Sequence, residues 1–228
     1  MKKLLLLCMV AVLCTSGFAI EEEEQNSAQD RIKAAANVLN EIQGTPDRGI
    51  PDEVLGAAEC VAVVPSMFKG GFIVGARYGR GVASCRLGKG WSSPAFFSLQ
   101  GGSFGFQIGG QAVDLVMLVM NRQGMANLLS SKFKLGADAS VAAGPVGRHA
   151  AADTDWKMRA QVLSYSRARG AFAGVELNGA AIRQDRDGTR LFYGHSVPFE
   201  TSLATVDSSQ SAYPFLQSLS KWAKAASR

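Results

Sequence analysis

The stretch from Cys60 to Leu99, CVAVVPSMFKGGFIVGARYGRGVASCRLGKGWSSPAFFSL, decides the fold. Val61 to Val64 and Gly71 to Gly75 are β-rich runs separated by Pro65 and the Gly70-Gly71 pair. Val82 to Arg86 continues them, Gly88-Lys89-Gly90 reverses the chain, and Pro94 to Leu99 restarts it. Strands therefore follow one another with turns between them and no helical spacing, which is the pattern of an antiparallel sheet.

Downstream the pattern persists. Ser103 to Ile108 and the near-continuous apolar run Val113 to Met120 are further strands, the latter reading as buried on both faces. Gln123 to Ser131 reads as a short helix. Lys132 to Ala143, Leu163 to Arg167, Ala171 to Leu177, Gly179 to Gln184 and Arg190 to Tyr193 read as strands, with Asp185 to Gly188 as a turn between the last two. Glycines inside these runs, among them Gly75, Gly79, Gly105, Gly109, Gly170 and Gly174, mark bends and close backbone approaches. The fold class expected is α+β: a strongly curved, mainly antiparallel or barrel-like sheet of about eight to ten strands, with amphipathic helices at both ends packed on it.

Upstream, Ser27 and Asp30 form a capping signature. Ile32, Ala35, Ala36, Leu39 and Ile42 recur at helical spacing up to Gly44. Pro51, Asp52 and Glu53 start a second, short helix. The tail from Tyr213 to Arg228 places Phe215, Leu216, Leu219, Trp222, Ala223 and Ala226 on one stripe. Packing of both terminal stripes on the sheet is the first reading; insertion among lipid head groups is the other.

Residues 1–19 have the order of a secretory signal peptide: Lys2 and Lys3, an apolar run from Leu4 to Leu13, then small residues at Gly17 and Ala19. Cleavage after Ala19 is expected. Cys14 admits a lipoprotein signal, but Leu13 is bulky where such signals carry a small residue, so that alternative is the weaker one. Residues 20–26, with Glu21 to Glu24, read as an acidic polar leader. The formal net charge is +5; without the signal's two lysines 22 basic groups face 19 acidic ones, and from Gln25 onward they face 15. An exported basic body meets anionic lipid sooner than nucleic acid, at about 1 kcal/mol per surface cation. Cys60 and Cys85 remain after the signal, either paired as a disulfide or as buried free thiols on neighbouring strands.

The residue patterns of common chemistries are missing. Gly75 to Gly81 lacks the spacing of a dinucleotide loop, and Gly101 to Gly105 has neither a following helix nor a Lys-Ser/Thr pair. His149 and His195 sit in no metal-ligand pattern, Asp153 and Asp155 fit a polar helix start, and Ser164-Tyr165-Ser166 has no nucleophile-elbow context. Neither catalytic residues, nor a metal site, nor a cofactor is expected.

Several blocks in order carry a resemblance: Val63 to Gly75, Trp91 to Phe96, Gly102 to Gly109, Phe133 to Ser140, Gly144 to Arg148, Tyr165 to Gly174 and Tyr193-Gly194. Together they resemble the SYLF (Ysc84-like) domain across roughly residues 30–195. The resemblance implies one domain over 27–228, with a C-terminal helix at 213–228, that binds lipid without catalysis. Eukaryotic relatives bind phosphoinositides and the fungal branch bundles actin; an exported bacterial member would translate this into anionic phospholipid or a membrane surface. On the matching blocks Lys69, Lys132, Lys134, Arg148 and Arg167, with Arg31 and Lys33 on the first helix, are the candidate head-group cations. The alternative is a periplasmic carrier of a lipid or other apolar ligand inside the curved sheet, with Phe96, Phe97, Phe104 and Phe106 as its lining. Periplasmic or envelope location follows from the signal, and partners among envelope proteins are undetermined.

Overall fold

Apolar residues in long uninterrupted runs must be covered on both sides, and the central strands of this protein are built that way. The computed structural model describes residues 27–44, 49–72, 74–88, 90–104, 109–130, 132–146, 160–168, 171–174, 177–206 and 209–224. The expected signal and leader, Cys14, Gly105 to Ile108 with Phe106, Arg148, His149, Asp153 and Asp155 lie outside them.

Ten strands form one curled mixed sheet, a half-barrel: β1 Cys60–Phe72, β2 Val74–Leu87, β3 Gly90–Trp91, β4 Ala95–Phe104, β5 Gly109–Val119, β6 Lys132–Lys134, β7 Val141–Ala143, β8 Val162–Ala168, β9 Ala171–Gly174 and β10 Ala181–Gln184. Their order is β6-β10-β4-β2-β1-β5-β8-β7, with β3 added to β2 and β9 to β8. Every pairing among these strands is antiparallel except β7 with β8. The helices among the described residues are α1 over 27–43, α2 Asp52–Ala57, α3 Arg122–Leu129, α4 Arg186–Tyr193, α5 Phe199–Ala204 and α6 Tyr213–Trp222.

Strand alternation splits the buried side chains into two clusters. Ala62, Val64, Ala83, Phe97, Leu115 and Met117 face one way, with Phe199 and Leu203 of α5 over them. Val61, Val63, Val82, Phe96, Val116 and Leu118 face the other, under Ile32, Leu39 and Ile42 of α1 and Phe215 and Leu219 of α6. The stripe expected on α1 is therefore buried against the sheet, as are Phe215, Leu219 and Ala223 of α6, with Leu216 and Trp222 partly buried; Ala226 lies outside the described residues. Phe96 and Phe97, both fully buried, fill opposite faces of β4.

Pro65 would break a regular ladder, because it has no N–H to donate. The register of β1 shifts between Val63 and Phe68 against β2 and between Val64 and Met67 against β5, and Ser66 adopts φ 50°. The Ser66 N–H donates to Asp114 Oδ1 at 3.0 Å, so the bulge is pinned to β5. Beyond it Phe68 lies on the α1 side of the sheet. Gly81 has to be glycine: a Cβ there would stand 2.5 Å from the Val63 carbonyl oxygen and 2.6 Å from the Phe97 ring.

Four expectations are corrected. Gly71 to Gly75 is not a separate strand, since β1 runs on to Phe72 and the chain reverses directly into β2 at Val74. Pro94 to Leu99 and the start of the Ser103 run are one strand, β4. Lys132 to Ala143 is broken after Lys134, where Gly136 takes a left-handed φ of 86°. Arg190 to Tyr193 is helical: Asp185 caps α4 by accepting the Gly188 N–H at 3.0 Å, and Gly194 at φ 74° ends it.

Tyr165 on β8 is fully buried, and its hydroxyl has no hydrogen-bond partner among the described residues. Burial pushes its phenol pKa up. An unsatisfied buried hydroxyl costs about 1–3 kcal/mol, so Tyr165→Phe should match or exceed the wild type in urea stability, by up to about 1 kcal/mol. A loss beyond about 1 kcal/mol would show that the hydroxyl is bound after all.

Candidate functional site

Among the described residues, the candidate cations expected from the sequence do not form one cluster. Lys33 is exposed on α1 and 3.4 Å from Asp30. Lys69 is half-buried on β1, opposite Arg77 and Gln111 and on the other face from Phe68. Lys132 and the exposed Lys134 belong to β6 at the edge of the sheet, and the Lys134 N–H donates to Asp138 Oδ2 at 2.7 Å. Arg167 is partly buried and engaged by carboxylates: its Nη2 is 2.6 Å from Asp114 Oδ2, its Nε donates to the same oxygen at 2.9 Å, and Glu41 of α1 pairs with Nη1.

Arg31 is the exception, and what it meets was not read from the sequence. Its side chain is 8% exposed, and its Nη1 is 2.8 Å from Asp185 Oδ2, whose side chain is 7% exposed. Arg80 of β2 completes the group as a fork, Nε to Oδ2 at 3.0 Å and Nη2 to Oδ1 at 3.2 Å. Three elements meet here: α1, the middle of β2 and the start of α4. Arg31 also lies over the Phe96 ring, 5.4 Å from its centroid.

Burial alone would raise the Asp185 pKa, but hydrogen bonds from Arg80 and the Gly188 N–H, with the charges of Arg31 and Arg80, outweigh it and hold the carboxyl below its ordinary value. Burial lowers the Arg31 pKa against the opposing pull of Asp185. The hydrogen bond to Asp185 raises that of Arg80. All three groups are charged near neutrality.

The cluster floors two adjoining hollows. One, of about 300 Å³, is lined by Ser27, Arg31, Arg80, Asp187 and Arg190 among others. The second, of about 440 Å³, shares Ser27, Arg31 and Arg80 with it and is walled by Pro65, Phe68 and Tyr78. Phe68 and Tyr78 are directly opposed across β1 and β2 and are 53% and 49% exposed. The other exposed large apolar side chains among the described residues, Val146, Val206 and Tyr213, are not in this group. The signal for Arg80 was present in the sequence: two-residue alternation from Val82 back through Arg80 to Tyr78 puts all three on one face.

No group of three or more His, Cys, Asp or Glu among the described residues could hold a metal ion. No helix of the described residues is long and apolar enough to cross a membrane.

A family model described as Ysc84, Las17-binding protein actin regulator, matches residues 100–222. The chain is similar to the SH3 domain-containing YSC84-like protein 1 of Xenopus laevis, 35% identical over 169 residues, which cover 71% of this chain and 50% of that protein. The protein of the same name from Homo sapiens is 34% identical over 175 residues, 74% of this chain and 51% of its own. LAS seventeen-binding protein 3 of Saccharomyces cerevisiae (strain ATCC 204508 / S288c) is 36% identical over 179 residues, 74% of this chain and 38% of its own. The chain thus spans about half the length of the animal relatives and less of the yeast one. These names describe binding and regulatory proteins rather than enzymes.

Proposed function

Given that the chain belongs to the Ysc84 (SYLF) family, we propose that it binds anionic phospholipid at a membrane surface and catalyses no reaction. One observation carries this reading: an exposed cross-strand aromatic pair, Phe68 and Tyr78, stands beside the half-exposed Arg80 and the rim residue Arg190. Aromatic rings suit the head-group level of a bilayer, where one side is apolar and the other wet. The cations add about 1 kcal/mol each against an anionic surface. The terminal helices do not serve as inserting elements in this reading, since their apolar stripes are occupied by the core.

Carriage inside the sheet has less support, because both faces of its central strands are covered by buried side chains. The binding of Las17 stated in the yeast relative's name belongs to a protein of which this chain covers 38%. No surface of the described residues favours that partner over lipid.

Export completes the proposal and rests on the sequence of residues 1–19. Protein recovered from an envelope fraction should begin at Ile20 by intact mass, and full-length protein confined to the cytoplasm would remove this part. In co-sedimentation, that protein should pellet with vesicles in proportion to their phosphatidylglycerol content. The bound fraction should fall severalfold when salt shortens the screening length from about 10 Å at 0.1 M to about 3 Å at 1 M. Equal retention by neutral phosphatidylcholine vesicles, or none by any, would end the reading.

A further inference from the structure

The charges around Asp185 do not balance. Arg31 and Arg80 share that one carboxylate, and the smaller hollow is also lined by Asp187, whose charge acts on Arg80, and by Arg190, so three guanidinium groups face two carboxylates. Asp30, on the rim of the larger hollow, is paired with Lys33. One positive charge is left over beside an ion pair withdrawn from water. It belongs to half-exposed and exposed arginines at the wall of the hollows, where an anion from solvent can reach it.

The two hollows offer an anion a place beside these arginines. Arg80 turns Nε and Nη2 to Asp185, and Nη1 takes no part in those contacts. Its side chain is 42% exposed and lines both hollows, whereas that of Arg31, at 8%, stays behind it. Arg190 is exposed at the rim of the smaller hollow. Guanidinium groups approaching from a strand and a helix can share the several oxygens of one phosphate through charge-assisted hydrogen bonds. The smaller hollow, at about 300 Å³, is at the low end of ligand-site volumes, the size of a head group rather than of a whole lipid. Its neighbour, with Pro65, Phe68 and Tyr78 as walls, is open to the apolar part of the same molecule.

We propose that this cleft is a discrete site for one phosphate ester of an amphiphile, its phosphate oxygens on Arg80 and Arg190 and its apolar part along Phe68 and Tyr78. The proposal rests on the membrane-binding reading and deepens it: recognition is localised at one cleft, not spread over the basic surface. A free phosphate would satisfy the arginines alone; an amphiphile engages the aromatic wall as well.

The test is calorimetric titration of the full chain with dihexanoyl phosphatidic acid as dissolved monomer and with glycerol 3-phosphate, alongside phosphatidic acid vesicles. Arg80→Gln and Arg190→Gln should each weaken the short-chain lipid about tenfold or more, the effect of losing a charge-assisted hydrogen bond. Lys134→Gln, which removes the same charge on the edge strand β6, three places from β2 in the sheet and not among the residues lining either hollow, should change binding less than about twofold. Glycerol 3-phosphate should bind at least about tenfold more weakly than the lipid, and Phe68→Ser should narrow that gap. Arg190 touches none of the Asp185 contacts, so its variant tests the site even if Arg80→Gln unfolds. Equal losses in all three cation variants, with vesicle binding retained, would overturn the discrete site and leave the membrane reading standing. Equal affinity for glycerol 3-phosphate would overturn the amphiphile in favour of a free phosphate, and no binding to lipid in any form would overturn both readings.

Discussion

Replacing Asp185 by alanine should destabilise the protein by about 3–5 kcal/mol, because it leaves the Arg31 guanidinium buried and unpaired. The whole stability of a natural domain is about 5–15 kcal/mol, so this change removes a large part of it. Asp185 also caps α4 through the Gly188 N–H and anchors Arg80, but these contributions share one side chain and do not simply add. Urea unfolding followed by tryptophan fluorescence measures the loss. Asp185→Asn, whose amide oxygen can still cap α4, should fall between wild type and alanine. In the double variant Arg31→Met with Asp185→Ala, part of the loss should return, because the uncompensated charge is gone. A wild-type midpoint for Asp185→Ala would mean that the pair contributes nothing.

The same carboxylate sets an acid limb. An unfolded aspartate titrates near about 3.9, and the folded Asp185 lies lower. The unfolded state therefore takes up its proton first as pH falls. The contribution of Asp185 is complete above the unfolded value and is lost as pH drops through the folded one. The difference between wild type and Asp185→Asn should be constant from pH 7 to about 5 and shrink below about 4.

Why the sheet was legible and this cluster was not comes down to range. Val61 to Val64 and Val113 to Met120 announce central strands by composition alone, and β1 and β5 pair with Val63 opposite Val116. Ile32, Leu39 and Ile42 announce α1 by their spacing and are all buried. Those are local patterns with burial as their cause. The segment after Asp185 was misread because Arg190-Leu191-Phe192-Tyr193 has strand-like composition, while its helical caps lie at its ends in Asp185 and Gly194. Acid at Asp187 and base at Arg190 also match the helix dipole, a signal that outweighs the propensity of a few apolar residues. The Arg31 to Asp185 contact spans 154 positions, and no periodicity reports a pairing across that distance. Family resemblance pointed to cations on matching blocks, but matching blocks mark what the fold repeats; Arg167, for one, is engaged by Asp114 and Glu41.

Cys60 and Cys85 are joined by a disulfide rather than left as free thiols, and opening it should lower stability by about 3.5 kcal/mol, the chain-entropy value for a closed loop of this length. The two cysteines are directly opposed in the β1–β2 register, and their bond spans a sequence separation of 25 that closes the β1–β2 hairpin. In the folded state the bond adds little restraint, because the ladder already holds these strands together. In the unfolded state it forbids most of the separations the two strands could otherwise explore, so its effect falls mainly there. Reduced thiols fill nearly the same space, and both positions are at most 1% exposed, so reduction should leave the native spectrum intact while moving the unfolding midpoint. At about 2–4 °C per kcal/mol for a chain of this size, the thermal midpoint should fall by about 7–14 °C in dithiothreitol. The double substitution to alanine should fall further, since it also removes buried sulfur from the core. Burial means that a reductant reaches the bond only when the hairpin opens, so full reduction should need added urea or heat. An unchanged midpoint after verified reduction would show that the unfolded chain keeps these strands close without the bond.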